Sequence, residues 1–415
     1  MLRGILRNLK HLSTAVLLLG LGIVLAEVWL QCRQPPSPAV SGIRADDSDL
    51  VLLVPSQVTH HEMRRLHSSA GGESGKVRPF RTNSYGLRGP EPAIPKSDGV
   101  YRILLLGDDT VAGTHLDDQA TLSSRLQQLL GRESGQVLEV INAGVPGFSP
   151  LLSMLQYQRE LRQLRPDLVV LHFDMSDVAD DAAYRRFLQS ADGRQLCTNA
   201  VLMDSNTAIT PLGRILRTSA LAKFVRSIAG GMAQDDSAES PTSWSDRTAY
   251  LWAMPNPPDL RVQIQHALDP VTELQKLTSA ENRRLMLSTS PVFWQVVSAD
   301  VRSRRSKRYG IVDRNPVTRD LPFQILRTYC DQAGIPLCDA TPAFRSFASR
   351  PAAGDNSTQA ASKPDADSLF EPDSTKLSKY GTALYAREIA AALLNGSTPA
   401  ATPVRSTQRQ TSPAR

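Results

Sequence analysis

Four short polar segments hold most of the side chains in this chain that can do chemistry. They are residues 107–113 (GDDTVAG), 142–147 (NAGVPG), 174–177 (DMSD) and 373–378 (DSTKLS). Their carboxylates, hydroxyls and lysine can transfer protons, pair as ions or bind a cation, and oxygen-only clusters suit Mg²⁺ or Ca²⁺. The candidate metal ligands are four aspartates, with Asp373 as a fifth: Asp108, Asp109, Asp174 and Asp177.

The first three segments each follow an apolar run that is typical of a buried strand. The predicted strands are residues 102–106 (RILLL), 137–141 (VLEVI) and 168–173 (LVVLHF), separated by helices at 121–130 and 151–164. A strand at 284–289, a helix at 321–333, a strand at 335–338 and a last helix at about 380–394 continue the alternation. This rhythm predicts an α/β fold with a parallel sheet covered on both faces. We therefore expect the polar segments to meet at the carboxyl edge of the sheet.

In this order, the four segments resemble the motif blocks of the SGNH/GDSL hydrolases, a family of esterases, lipases and carbohydrate deacetylases. In that family the first strand ends in G-D-S with the nucleophilic serine. A glycine and an asparagine of the next two blocks help form the oxyanion hole, and a D-x-x-H block before the last helix supplies the base. Residues 80–91 (FRTNSYGLRGPE) also resemble the lead-in of membrane-anchored bacterial members. The resemblance covers about residues 80–185 and 260–395, and it implies a three-layer α/β/α sandwich with a mainly parallel sheet.

The functional positions of these blocks depart from the family pattern. Asp109 stands at the serine position, Ser176 at the asparagine position and Lys376 at the histidine position. Asp174 replaces the glycine of the third block, while Gly144 and Asp373 persist. The resemblance therefore implies the fold of an ester hydrolase without its full catalytic set.

The departures remove groups that ester hydrolysis needs. A serine hydroxyl attacks an ester only when a neighbouring base takes its proton, and Lys376 is protonated at pH 7 unless it is deeply desolvated. No histidine follows His266, so none lies in the last block. His115 is a candidate substitute base, although a solvated loop residue is the favoured interpretation. His172 lies inside the third predicted strand and is expected to pack in the core.

The nucleophile and base of the family are in contact, which implies that Asp109 and Lys376 are neighbours. Their opposite charges predict an ion pair in place of the catalytic dyad, and further hydrogen bonds would be needed to offset desolvation. We favour the interpretation that Lys376 neutralises Asp109 while Asp108 and Asp177 make structural hydrogen bonds. On that interpretation neither a metal nor a cofactor is expected.

An apolar segment near the N-terminus predicts a membrane anchor. Residues 12–30 (LSTAVLLLGLGIVLAEVWL) match the ~20 residues that a helix needs to cross a bilayer. Three basic residues precede the segment and one follows it, which puts the N-terminus in the cytoplasm and the bulk of a single-pass protein outside it, in the periplasm of a bacterium. A cleaved signal peptide is the alternative, but the run is long for one and no A-x-A-like site follows.

The chain is expected to divide into four parts. Residues 1–33 form the cytoplasmic tip and anchor, 34–79 a stalk, 80–395 the SGNH-like domain with an insertion at about 185–265, and 396–415 a disordered tail. The composition is globular, with 41% apolar and 21% charged residues. The net charge of +6 is partly carried by the two ends, and no basic stripe is interleaved with aromatic residues, so nucleic acid is not an expected partner. Cys330 and Cys338 are expected to be small buried residues rather than a disulfide.

These observations predict a degenerate hydrolase domain at the cell surface that is catalytically inactive and binds a glycan, an acyl group or a protein partner. Two alternatives stay open. One is an active esterase, deacetylase or acyltransferase with rearranged catalytic groups, and the other is a metal-dependent hydrolase that uses the aspartates. Turnover of a generic ester would support the first alternative, and loss of that turnover on chelation would support the second.

Overall fold

The computed structural model describes residues 52–69, 80–191, 193–202, 260–296, 321–349, 366–372 and 374–395. The strands are β1 (Leu53–Pro55), β2 (His61–Met63), β3 (Ser68–Ser69), β4 (Phe80–Arg81), β5 (Tyr101–Leu106), β6 (Leu138–Asn142), β7 (Leu168–His172), β8 (Leu188–Ala191), β9 (Arg194–Cys197), β10 (Arg284–Thr289) and β11 (Leu337–Asp339). The α-helices are α1 (Asp109–Ala112), α2 (Leu122–Glu133), α3 (Pro150–Arg159), α4 (Asp177–Arg185), α5 (Leu260–Ala280), α6 (Leu321–Ala333), α7 (Thr341–Ala348) and α8 (Lys379–Asn395).

A parallel sheet of five strands forms the centre of the described residues, in the order β6-β5-β7-β10-β11. Numbered along the chain, this order is 2-1-3-4-5, a doubly wound arrangement in which ligands bind beyond the carboxyl ends of the strands. The predicted α/β fold with a mainly parallel sheet is confirmed. Because β5 lies between β6 and β7, the three polar segments that follow these strands are neighbours at one edge.

The central strands are largely apolar because both of their faces are covered. Leu104 and Val169 pair in register and are each 0% exposed, as expected for parallel strands between helices. Two groups of helices pack on the sheet: α2 lies against α8, and α5 lies against α3 and α4. Arg102 is a buried exception in β5, and its Nε donates to Glu139 at 2.6 Å.

The predicted elements differ from the observed ones mainly at their ends. The strand at 284–289 and the helix at 321–333 have the predicted bounds. The helix predicted at 151–164 is instead α3 followed by a 3₁₀ turn at Leu161–Leu164, with Arg165 in the left-handed region at φ 51°. The last strand begins at Leu337, two residues later than predicted, where it pairs with Leu287 of β10.

A short hairpin at residues 52–69 packs on the domain, although the sequence places these residues in a stalk. Strands β1 and β2 are antiparallel, and Leu53 and Met63 belong to the hydrophobic core at 0% and 1% exposure. The Nε2 atom of His61 lies 2.9 Å from the carbonyl oxygen of Pro146, within the second polar segment. The packed part of the chain therefore begins before residue 80.

Several predicted segments lie partly or wholly outside the described residues. Of the insertion at 185–265, the structure describes the β8–β9 hairpin and the first turns of α5. The predicted anchor at 12–30 and the tail at 396–415 lie outside the described ranges. Within those ranges, no helix combines the length and apolar character needed to cross a bilayer. Cys330 and Cys338 are buried free thiols, as expected.

Candidate functional site

The first polar segment packs directly on the end of β7. Gly107 has φ 150°, and a Cβ atom there would lie 2.8 Å from Cγ2 of Val111 and 2.9 Å from Cβ of His172. Only glycine accepts this backbone angle without strain and leaves room for both neighbours. The turn after β5 therefore brings Asp108 and Asp109 against the end of the central strand.

Asp109 and Lys376 form the predicted ion pair. Asp108 caps the short helix α1 by accepting the N–H of Thr110 at 3.0 Å, which places Asp109 at the first helical position. The Nζ atom of Lys376 lies 3.4 Å from Oδ1 of Asp109, with side-chain exposures of 11% and 22%. An ammonium and a carboxylate thus occupy the positions at which the family has its base and nucleophile.

Gly144 persists from the family pattern, but its N–H is already engaged. It donates to Oδ1 of Asn142 at 3.1 Å, and Nδ2 of Asn142 donates to the carbonyl of Val111 at 2.8 Å. A Cβ atom on Gly144 would lie 2.4 Å from the backbone nitrogen of Ala112. Sequence reasoning did not single out the role of Asn142, although a buried asparagine ending β6 was a signal for it. The arrangement ties β6 to α1 and leaves this N–H without a free hydrogen for an oxyanion.

The third polar segment is held by hydrogen bonds among its own residues. The N–H of Asp174 donates to Oδ2 of Asp177 at 2.7 Å, and the N–H of Ser176 donates to Oδ1 of Asp174 at 2.7 Å. Asp177 is 3% exposed. The structural hydrogen bonds expected of Asp108 and Asp177 are therefore present.

His172 lies beneath these aspartates as the last residue of β7. Its Nδ1 is 2.8 Å from the hydroxyl oxygen of Tyr385 in α8. Its Nε2 is 4.0 Å from Oδ1 of Asp108 and 4.0 Å from Oδ2 of Asp174. The expectation that His172 packs in the core is confirmed, but the ring also faces the site. Its place directly before the third polar segment was the signal that sequence reasoning missed.

Burial and mutual repulsion dominate the electrostatics of this cluster. Burial raises the pKa of Asp108 well above its ordinary value, and the charges of Asp174 and Asp109 raise it further. Burial likewise raises the pKa of Asp177 well above its ordinary value, with the charges of Asp174 and Asp108 adding to the effect. Burial lowers the pKa of His172, against the opposing influences of the Asp174 charge and the nearby backbone of Ser288. Burial therefore disfavours the charged forms of Asp108, Asp177 and His172.

The structure regroups the predicted metal ligands. Among the described residues, Asp108, His172 and Asp174 offer one ligand atom each within 4.8 Å of one another. Asp109 instead faces Lys376, and Asp177 accepts from the backbone of Asp174. Asp373 lies outside the described residues. The candidate metal ligands therefore change from aspartates alone to two aspartates and one histidine.

His115 is not the solvated loop residue that the sequence suggested. The ring is half-buried, and its Nε2 lies 2.8 Å from the carbonyl oxygen of Leu377. A carbonyl only accepts, so Nε2 carries the hydrogen and the lone pair of the neutral ring lies on Nδ1. The contact links the first polar segment to the last one, next to Lys376.

A groove of about 410 Å³ opens beside the last polar segment. Its walls combine apolar side chains with polar ones: Leu116, Ala120 and Phe370 with Asp117, Glu371 and Lys379. Tyr380 also lines it and is 47% exposed, with Nζ of Lys379 5.1 Å from the ring centroid. The groove therefore presents an aromatic ring among charged groups near the Asp109–Lys376 pair.

Comparisons with known proteins found similarity among solved structures. No model of a known protein family and no curated protein matches the chain. A lipase/acylhydrolase from Enterococcus faecalis is 14% identical, with a TM-score of 0.36, over 72% of this chain and 99% of its own. A mutant acetylxylan esterase from Geobacillus stearothermophilus is 12% identical, with a TM-score of 0.35, over 70% and 93%. A structure described as a lipolytic protein of the G-D-S-L family, from Desulfitobacterium hafniense, is 11% identical, with a TM-score of 0.34, over 70% and 99%.

Proposed function

We propose that this chain is a catalytically inactive SGNH-like protein, with a three-layer α/β/α domain that residues 12–30 hold at the outer face of a membrane. The domain binds a ligand at the cell surface without cleaving it. The candidate ligands are a glycan, an acyl group and a protein partner, and the groove beside Tyr380 favours a glycan. The observation that carries the proposal is the ion pair between Asp109 and Lys376.

The ion pair explains why the cleft does not hydrolyse esters. The Asp109 carboxylate favours the protonated form of Lys376, and an ammonium cannot accept a proton from a nucleophile. The N–H of Gly144 donates to Asn142, and Ser176 offers a hydroxyl where the family has a side-chain amide. Loss of a single oxyanion donor lowers the rate about 10²–10³-fold. The replacement of nucleophile and base, together with the engaged Gly144 N–H, supports binding without turnover.

The groove supports a sugar ligand. Tyrosine combines an apolar ring with a polar tip, which suits a ligand that has both an apolar face and many hydroxyls. Asp117, Glu371 and Lys379 are placed around the ring to hydrogen-bond such hydroxyls. An acyl chain would gain little from these charged groups, since burying them without partners is unfavourable.

The experiment is a binding screen of the purified full-length chain against soluble oligosaccharides, both plain and O-acetylated. We expect a rise in melting temperature with at least one sugar and no release of acetate. Tyr380→Ala should weaken that binding about fivefold or more, by loss of about 1 kcal/mol of ring contact. Val137→Ser, at the amino end of β6 and 67% exposed, is the matched control and should bind as the natural chain does. Stabilisation by fatty acids alone would contradict the glycan ligand, and release of acetate would contradict binding without turnover.

A further inference from the structure

Two carboxylates and one imidazole converge at the floor of the cleft. Oδ1 of Asp108 and Oδ2 of Asp174 each lie 4.0 Å from Nε2 of His172, and the three ligand atoms lie within 4.8 Å of one another. The side chains come from the ends of β5 and β7, the adjacent central strands. Three donor atoms on two paired strands make a preorganised cluster.

The imidazole is aimed into the cluster without a hydrogen-bond partner for its inner nitrogen. The His172 side chain is 1% exposed, and its Nε2 makes no hydrogen bond among the described residues. The nearby carbonyl of Ser288 accepts the N–H of Phe173 at 2.9 Å. A buried polar atom of this kind is costly unless something satisfies it.

Neither tautomer of His172 satisfies the cluster on its own. If Nδ1–H donates to the Tyr385 hydroxyl, Nε2 directs a lone pair toward the two carboxylates. If Nε2 carries the hydrogen instead, 4.0 Å is too long for a hydrogen bond to either oxygen. A cation between the three atoms satisfies all of them at once.

The acidic groups around Asp108 also favour binding of a cation. The charged groups that act on Asp108 are the carboxylates of Asp174, Asp109 and Asp180. Lys376, the basic residue of the cleft, is paired with Asp109. Two acidic side chains thus lie together at 11% and 14% side-chain exposure, with the Asp109–Lys376 pair beside them.

We propose that Asp108, His172 and Asp174 bind one divalent transition-metal ion of the Zn²⁺ or Mn²⁺ type. One nitrogen and two oxygen donors suit these ions, whereas Mg²⁺ and Ca²⁺ prefer oxygen alone. Bonds of about 2.1 Å put bound donor atoms about 3.0–3.5 Å apart, so the carboxylates need to move inward by about 1 Å or less. Tyr385 then plays the outer role that metal-binding histidines require, since it accepts Nδ1–H and orients the ring.

The site is distinct from the ion pair above it and does not depend on the proposed glycan function. Three protein ligands leave a further coordination position open. The bound ion links β5 to β7 and neutralises the floor of the cleft.

The test is calorimetric titration of the full-length chain, without an affinity tag and stripped with chelator, with ZnCl₂ and separately with MnCl₂. We expect saturable one-site binding of at least one of the ions and a higher melting temperature with that ion, because an ion that binds only the folded state stabilises it. Asp174→Asn should weaken binding about tenfold or more and abolish the gain in melting temperature. Its amide oxygen can still accept the N–H of Ser176, so the variant is expected to fold.

The matched control is Asp339→Asn at the end of β11 in the same sheet. Asp339 has a similar exposure of 11% and accepts from Arg327 and from the N–H of Thr341, away from His172. This variant should bind the ion as the natural chain does. The absence of saturable binding, or equal binding by the natural chain and Asp174→Asn, would overturn the proposal. Neither result depends on whether a sugar binds in the groove.

Discussion

Single residues decide the chemistry of this cleft. Asp109, Lys376 and Gly144 stand where the sequence resemblance implies family positions. The structure gives each of them a structural contact, since the two charged groups pair and the glycine N–H donates to Asn142. Motif comparison was enough to predict the Asp109–Lys376 pair. It could not reveal the role of His172, because that role depends on contacts with Tyr385, which is 213 residues away along the chain.

The ion pair should stabilise the fold by a measurable coupling energy. Asp109→Ala leaves the Lys376 ammonium shielded and unpaired, and Lys376→Ala leaves the Asp109 carboxylate in the same state. Each single variant should therefore be less stable than the double variant that lacks both charges. A double-mutant cycle in urea should show a coupling of about 1–3 kcal/mol. Lys276 and Glu273 lie 3.3 Å apart at 70% and 46% exposure, and the same cycle on that pair should give about 0.5 kcal/mol or less. If the coupling between Asp109 and Lys376 were also about 0.5 kcal/mol or less, the two residues would not interact in solution.

Gly144→Ala should destabilise the protein by about 3 kcal/mol, because its Cβ has no room beside Ala112 and Val111. The free energy of unfolding in urea measures this. Gly131→Ala, within α2, is the control. A Cβ atom added at Gly131 has no atom within 4 Å outside the backbone of its own helix. This substitution should therefore stabilise the protein by about 0.5–1 kcal/mol. Equal effects at the two glycines would refute the close approach of β6 and α1.

At the scale of elements, the strands and helices with strong periodicity were predictable. Short continuous apolar runs predict the strands β5, β7 and β10, and apolar residues at helical spacing predict α2. The β1–β2 hairpin was not predictable, because its strands are three residues long and its buried core includes polar residues. His60 and His61 are both 0% exposed, yet a histidine pair in a mixed polar segment is typical of a surface.

This hairpin should weaken on acidification. Burial lowers the pKa of His60 to about 4 and that of His61 to about 3. Between these values and about 6.5 the unfolded chain binds protons that the folded chain does not, so stability falls as pH drops from about 7 toward 4. His61→Gln keeps a donor for the Pro146 carbonyl and should reduce that loss by about 1–2 kcal/mol between pH 7 and pH 5. Thermal unfolding at both pH values measures it, and an unchanged pH slope in His61→Gln would contradict the assignment.

At the scale of the whole molecule, the sheet order and the proposed membrane anchor are two separate features. The order β6-β5-β7-β10-β11 collects the polar segments at one sheet edge, as the alternating pattern predicted. The proposed anchor at residues 12–30 rests on hydropathy and flanking charge alone. The proposed function of the domain and the proposed anchor at residues 12–30 are therefore tested separately.

The anchor proposal predicts that the full-length chain stays with membranes after carbonate extraction. Leu19→Arg combined with Ile23→Arg places two charges at the centre of the apolar segment, at a cost of about 2.5–3.5 kcal/mol each, and should move the chain to the soluble fraction. Leu19→Ala combined with Ile23→Ala should leave it in the membrane. If the arginine variant also remained in the membrane fraction, residues 12–30 would not be the anchor.

The central claim is that the cleft binds without hydrolysing, and ester turnover tests it most directly. The measurement compares p-nitrophenyl acetate hydrolysis by the full-length natural chain with that by a triple variant, Asp109→Ser, Ser176→Asn and Lys376→His, each with and without chelator. We predict no turnover above background for the natural chain and a gain for the variant, because the substitutions restore nucleophile, oxyanion donor and base on an intact sheet edge. Turnover by the natural chain that Asp109→Ala or Lys376→Ala abolishes would contradict the account, and its loss on chelation would assign the chemistry to a bound metal.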